Sequence, residues 1–310
     1  MPDCTVMTWN VENLFPVGHL SGAASVDVYQ RKLRYLAKTI RDVGPDVIGL
    51  QEVGDPTCLA DLQAALGGRY PHATISSRPD IRGIRVAVLS ASPLTDVRQL
   101  FEFTPEALPR VPTADGKTVA TMGRGALQVV VEVSGRRLRV VTAHLKSKLL
   151  SYPEGRRFPK DEHERARGAG FALLRRAAEA VALRVHLNTL MADEALPTVL
   201  VGDFNDGPSA ITTDLLQGPP DTSLHRPDKG DLVRLNNLAG WLPGKHAFSR
   251  MFREEPELID HILVSQDILR GFRQVDSLVD GVRSITEDVE SRRNAVRPDH
   301  APLFARFVLP

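Results

Sequence analysis

The stretch TVLVGDFNDGPS (198–209) starts as a buried strand and ends in polar residues. Thr198 to Val201 are apolar or β-branched, and Gly202, Asp203, Phe204, Asn205, Asp206 and Gly207 follow. Side chains alternate along extended chain, so Asp203 and Asn205, two residues apart, are aimed at one face. A turn alone accounts for such a composition, because turns prefer Asp, Asn, Gly and Pro. The rest of the chain decides between punctuation and chemistry.

Outward from this stretch, other short apolar runs suit strands: 4–9, 46–50, 84–90, 126–133, 138–143, 258–264 and 302–309. A helical pattern over 28–44 places Leu33, Leu36, Ala37 and Ile40 on one stripe and stops at Gly44, before Pro45. A longer one over about 161–190 carries Phe171, Leu174, Ala178, Val181 and Val185 on its stripe. The residues SGR between two of the strands signal a hairpin. A hairpin among mixed strands and helices excludes a purely parallel array. It predicts an α/β fold, a four-layer α/β sandwich of two packed mixed sheets with helices on the outer faces. No repeat, low-complexity tract or linker divides the chain, so residues 1–310 read as one domain, with 104–125 and 218–245 as loops.

At 310 residues, 42% hydrophobic and 25% charged, the chain has material for a large core. Its 39 Lys and Arg against 38 Asp and Glu leave a net charge of +1, which excludes a global attraction to nucleic acid or anionic membrane. Any preference for a polyanion is therefore local. Between Lys146 and Arg176, nine basic residues stand against four acidic ones, a local +5 that leaves −4 elsewhere. Cys4 and Cys58 are too few for a disulfide framework and lack zinc-site spacing, so they read as buried apolar residues in a reducing compartment. No apolar run approaches the ~18 residues of a membrane span. The N-terminal residues MPDCTVMTWNVENLF lack a basic region and carry Asp3 and Glu12, which argues against a signal peptide. A cytoplasmic location without membrane association is the expectation.

Four strands run into residues that bind metals or move protons. VMTW leads to Asn10, VIGLQ to Glu52, RVVTA to His144 and then Lys146, and TVLVG to Asp203 and Asn205. Asp260, inside ELIDHILV, needs a buried partner, since an unpaired carboxylate there is costly. Asp299 and His300, in RPDHAP just before the last strand, offer one. Alternation sends His261 to the face opposite Asp260, where a structural role is expected.

In order along residues 5–307, TWNVENLF, DVIGLQEV, TAHLKSK, VGDFND, LIDHILVS and RPDHAPL resemble the successive motifs of the endonuclease/exonuclease/phosphatase superfamily, of the pancreatic deoxyribonuclease and exonuclease III type. NVENLF together with HLKSK is most similar to its bacterial nuclease-like members. The resemblance implies that Asn10 and Glu52 hold a divalent metal, with Asp299 at or near it. It implies that His300 contacts the scissile phosphate, oriented by Asp260, and that Asp203 and Asn205 position or deprotonate the attacking water. His144 matches a histidine of the deoxyribonuclease branch, and Arg124 a basic residue near the phosphate. That branch pairs its histidine with an acid; RGIRVAVLS (82–90) holds none, and Asp80 is the nearest candidate.

Phosphodiester hydrolysis asks for these parts in any case. Negative charge builds on phosphorus between entering and leaving oxygens, so a hard cation on oxygen ligands, a positioned water and a proton donor are needed. Oxygen-rich ligands point to Mg²⁺ or Mn²⁺ rather than Zn²⁺. The expected substrate is DNA or RNA; a phosphoinositide, cyclic nucleotide or lipid headgroup is the alternative. Lys146, following His144 closely, is expected to touch substrate, and Arg156, Arg157 and Lys160 to track phosphates.

Overall fold

The computed structural model describes residues 3–104, 108, 110–150, 152, 156, 158–218, 233–286 and 288–310. With strands numbered along the chain, one sheet is formed by β1 (Asp3–Leu14), β2 (Val47–Val53), β3 (His72–Ile75), β4 (Arg85–Ser90), β15 (Phe272–Ser277) and β16 (Leu303–Val308). Their order is β15-β16-β1-β2-β4-β3. A second is formed by β5 (Leu94–Glu102), β8 (Thr121–Val133), β9 (Arg136–His144), β10 (Thr198–Asp203), β11 (Leu235–Asn237) and β14 (Asp260–Ser265). Its order is β11-β14-β10-β9-β8-β5. Two short hairpins lie outside both sheets, β6 (Val111–Pro112) with β7 (Thr118–Val119), and β12 (Arg250–Phe252) with β13 (Glu255–Glu257).

The two sheets share one plan. Each has a parallel pair at its centre, β1 with β2 and β9 with β10, among antiparallel neighbours. Parallel neighbours need a crossover, and the helices α1 (Val26–Val43) and α3 (Glu162–Asp193) lie within the two crossovers. Ser25 caps α1 through its hydroxyl, and Gly44 ends it at φ 65°. Shorter helices follow: α2 (Pro56–Ala65), α4 (Ile211–Gln217), α5 (Gln266–Arg270) and α6 (Val289–Asn294).

Alternation along the central strands sorts their apolar side chains into three cores. Val6, Val129, Val140, Val199 and Val201 meet between the sheets. Met7, Ile48 and Leu50 face outward under Leu36 and Ile40 of α1. Val141, Leu200 and Leu263 face outward on the other side, under Leu183 and Leu187 of α3. The result is the four-layer sandwich that the strand and helix pattern predicts. Gly49 lets the sheets approach, since a Cβ there would lie 2.7 Å from both Thr142 Oγ1 and Val201 Cγ2. Beside it, Gln51 bridges the sheets by donating to Thr142 Oγ1 at 3.0 Å.

Several local expectations are corrected. The first strand does not stop at Asn10 but continues to Leu14, with its pairing to β2 interrupted between Asn10 and Leu14. Segment 104–125 holds the β6–β7 hairpin and the start of β8; of 218–245, the described part includes β11. Strands β3, β5 and β15 and helix α2 carry too short or too mixed a pattern to stand out. Helix α3 turns a different face inward: Leu174 is exposed, whereas Ala172, Arg176, Glu179, Leu183, Leu187 and Leu190 are buried. Polar anchors set that rotation. Arg176 pairs with Asp206 at 3.0 Å, and Arg184 donates to the carbonyls of Leu216 and Val233 at 3.1 and 2.9 Å.

Candidate active site

Register brings three of the predicted residues side by side. His144 at the end of β9 lies opposite Asp203 at the end of β10, and Asp203 lies opposite Asp260 at the start of β14. His261, one residue on, points the other way. It donates to Asp206 O at 2.8 Å, accepts from Asn237 Nδ2 at 3.2 Å and stacks on Phe204, the structural role expected of it.

Asp203 is the hub. Its Oδ1 accepts the backbone N–H of Asn205 at 2.9 Å, and its Oδ2 accepts Asn10 Nδ2 at 3.0 Å, a bond from one sheet to the other. The same Oδ2 lies 3.3 Å from His144 Nε2 and 3.9 Å from His300 Nε2. His300 in turn donates through Nδ1 to Asp260 Oδ2 at 2.7 Å, and its carbonyl accepts Trp9 Nε1 at 2.9 Å. Asn205 Nδ2 donates to Leu145 O at 3.0 Å. Asn10, His144, Asp203, Asn205, Asp260, Asp299 and His300 are all buried.

A second group gathers beside the hub, from the first sheet and the segment leading into its last strand. Glu52, at φ 64° where the pairing of β2 with β4 shifts, accepts Asn13 N at 2.9 Å. Asp299 donates its backbone N–H to Glu12 Oε2 at 3.1 Å, and Glu12 is paired with Arg283. Lys32 of α1 donates to the carbonyl of Glu12. Glu12, Asn13, Glu52 and Asn205 make up half of the eight non-glycine residues with positive φ among the described residues. Backbone strain is thus concentrated where the side chains must be aimed. The pattern of the chain marks none of Glu12, Lys32 and Arg283; only the unusual run of two polar residues after Val11 hints at Glu12.

The protonation states differ sharply across the site. Burial, followed by the charge of Asp260, pushes the Asp203 carboxyl up to about 6. Burial, with Glu12 and Glu52 adding to it, does the same for Asp299, also to about 6. Burial by itself would depress His300, but the charge and hydrogen bond of Asp260, with Asp203 and Asp299, raise it to about 10. His144 goes the other way: burial, then Arg124, His300 and Arg82, hold it well below the ordinary histidine value. Glu52 is kept below the usual carboxylate value; burial opposes this, but Arg82, Arg124, His300 and the Asn13 N–H prevail. At neutral pH the site therefore holds one charged imidazole and one neutral one.

Asp80 does not orient His144. It accepts Arg124 Nε at 3.0 Å, and His144 Nδ1 is buried without a partner among the described residues. Arg124 also donates to Leu145 O at 3.1 Å, which fixes it beside His144. Glu179 of α3, unmarked by any motif, braces this side by accepting Gly123 N at 2.9 Å and Lys146 N at 2.6 Å. Much of the basic surplus of 146–176 is spent in internal pairs: Arg156 with Glu164, Arg165 with Glu162, Arg175 with Glu179 and Arg176 with Asp206. Lys160 N–H also bonds Glu164, while Arg157 lies outside the described residues.

Two sets of ligands for a cation present themselves. Asp203, Asp260 and His300 bring candidate atoms within 4.8 Å of one another. Those atoms already serve each other, Asp260 holding His300 and Asp203 holding Asn10. Half-buried Glu52 adds to the cost of ionising the buried Asp299, a conflict that a divalent cation would relieve.

Among known proteins, the sequence profile of the endonuclease/exonuclease/phosphatase family matches residues 7–282. No curated protein matches the chain at the sequence level. In structure the chain is similar to an endonuclease/exonuclease/phosphatase family protein from Bacteroides thetaiotaomicron, at TM-score 0.61 and 16% identity, over 100% of this chain and 99% of that one. It is similar to the mannosyl-6-phosphatase Bt3783 of the same organism, at TM-score 0.61 and 17% identity over 99% and 100% of the two chains. It is also similar to the human Nocturnin catalytic domain, at TM-score 0.57 and 16% identity over 99% and 95%. Identities this low speak to the fold alone.

Proposed function

Since the chain belongs to the endonuclease/exonuclease/phosphatase family, whose members are hydrolases of phosphoesters, we propose that it cleaves phosphodiesters in nucleic acid with the help of Mg²⁺ or Mn²⁺. The observation that carries this reading is the convergence on Asp203 of Asn10, His144 and His300, contributed by both sheets. The donor set suits the metal: Glu52, Asp299 and the Asn10 amide offer hard oxygen ligands, and the half-buried Glu52 adds to the cost of ionising the buried Asp299. When bound there, the cation supplies charge to offset that building on the phosphate.

The chain's own residues perform the rest. Asp203, with its pKa raised towards neutrality, takes the proton of the attacking water, and Asn10 and the Asn205 N–H hold it in place. His300, kept cationic by Asp260, donates through Nε2 to a phosphate oxygen as charge develops. His144 stays neutral at this pH and serves as a hydrogen-bond donor through Nε2 rather than as the source of a proton. Arg124 and Lys146 line the cavity that His144 also faces.

A smaller phosphoester is the second reading, favoured by one observation: the basic stretch beyond His144 is paired internally instead of forming an open track. Incubation with plasmid, single-stranded DNA, RNA and an aryl phosphodiester, each with Mg²⁺, Mn²⁺ or EDTA, tests both. Metal-dependent cleavage of a polynucleotide is expected. Cleavage of the aryl ester alone selects the smaller substrate, and activity that survives exhaustive chelation sinks the metal assignment.

A further inference from the structure

A cavity of about 360 Å³ opens directly beside the reaction centre, with His144 and Arg124 in its wall. Its charge is not balanced. Of the two carboxylates that line it among the described residues, Asp80 is spent on Arg124 Nε at 3.0 Å and on the backbone N–H of Arg82 and Ile84 at 2.8 and 3.0 Å. Glu179 is spent on Gly123 N, Lys146 N and Arg175 Nε. Besides the paired Arg124 and Arg175, three further cations line the same cavity, and among the described residues none of these three is paired with a carboxylate. Arg78 lies over the ring of Phe101, Arg82 donates only to the amide oxygen of Asn13 at 3.2 Å, and Lys146 Nζ donates to the carbonyls of Ser147 and Leu149. Burial and the neighbouring Arg124 lower the Lys146 pKa to about 8, so gathering these charges is unfavourable until an anion joins them.

We infer that this cavity is a second anion subsite, which receives a further phosphate carried by the substrate next to the phosphoester cleaved at Asp203. The inference rests on the phosphoesterase reading and narrows its substrate class. A substrate with one anion leaves Arg78, Arg82 and Lys146 without a direct carboxylate partner, whereas one with two engages both places at once. Met122 and Phe101, which also line the cavity, suit the less polar unit that joins the two anions. Such a second phosphate is present in a polynucleotide, as the adjacent link, and in a small bisphosphate.

The test uses competitive inhibition of aryl phosphodiester hydrolysis by a nucleoside 3′,5′-bisphosphate and by the matching monophosphates. The second phosphate should tighten inhibition about tenfold or more, the scale of charge-assisted hydrogen bonds. Arg78→Ala and Arg82→Ala should each remove most of that gain, and Arg78→Lys should restore part of it. Equal inhibition by mono- and bisphosphate, or a gain untouched in the double alanine variant, overturns the subsite. A sugar bisphosphate that matches the nucleoside bisphosphate identifies small substrates; affinity that climbs further with oligonucleotide length identifies the polymer. If no aryl phosphodiester is hydrolysed with any divalent cation, the phosphoesterase reading fails instead. Equilibrium titration of the same mono- and bisphosphates then decides the subsite separately.

Discussion

At the scale of single residues, the site works by holding neighbouring groups in opposite protonation states. His300 and His144 both approach Asp203 Oδ2, but only His300 has a carboxylate behind it. If Asp260 acts through His300, Asp260→Asn and His300→Gln should each lower kcat/KM on an aryl phosphodiester by ~10²-fold or more. The double variant should lose hardly more than either one, because residues acting as a unit are non-additive. Multiplied losses would show independent roles. Lys146 allows a cleaner reading of charge. Its folded pKa of about 8 lies below the ordinary lysine value, so between these two pH values the unfolded chain binds the extra proton and stability rises with pH. Lys146→Met removes the penalty of holding a cation there below pH 8. Its stability relative to the parent should therefore be greatest near pH 7 and decline towards pH 10, as read from paired thermal unfolding curves. A difference that stays flat with pH would show that the lysine is not perturbed.

At the scale of elements, the two sheets divide the labour. Asn10 and Glu52 sit on β1 and β2, and Asp299 just precedes β16; His144, Asp203 and Asp260 sit on β9, β10 and β14. The proposed cation ligands thus come from one sheet and its flank, and of the groups proposed to handle protons His144, Asp203 and Asp260 come from the other, while His300 joins them from the flank of the first. How closely the sheets lie therefore sets the distance between the two halves of the chemistry, and Gly49 and the Gln51–Thr142 bond control that approach. Gly49→Ala places a methyl against Thr142 and Val201 and should cost about 1–3 kcal/mol, the range for overpacking a close-packed interior. The denaturant midpoint should fall with its slope unchanged. Activity should fall beyond what the loss of folded protein explains, because the Asn10–Asp203 bond spans the same seam. An unaltered midpoint would mean that the strands yield at no cost.

At the scale of the whole molecule, a cation held at the proposed site would couple its binding to folding. Glu52 and Asp299 are far apart in the chain and come together only when the sheet is complete, so a divalent ion held by them would bind the folded state and hardly the unfolded one. Millimolar Mn²⁺ or Mg²⁺ should raise the melting temperature, increasingly with concentration, and EDTA should reverse the effect. Glu52→Gln should keep the metal-free melting temperature within a few degrees of the parent and lose most of the metal-induced rise. A rise of full size in that variant would remove Glu52 from the ligand set.

The amino-acid sequence by itself determined the layers of this protein and most of the side chains at its centre. Helix α1 is written locally, in the stripe of Leu33, Leu36, Ala37 and Ile40 and in the stop at Gly44. The Ser134–Gly135 turn between β8 and β9 is equally local, with both residues at positive φ. Asn10, His144 and Asp203 were legible because each follows an apolar run, and a polar residue there has few reasons to be buried; Glu52 also follows such a run and is half-buried. Tertiary structure alone decided the partnerships. Asp80 lies within reach of the cavity, but the guanidinium of Arg124, always charged, takes it and leaves a neutral His144 without an orienting acid. Glu12 meets Arg283 and the N–H of Asp299 across more than 270 residues of chain, and Glu179 joins α3 to the ends of β8 and β9. Periodicity records which face of an element is apolar. It carries no information about which distant charge will arrive opposite a buried carboxylate, and that depends on how the two sheets close.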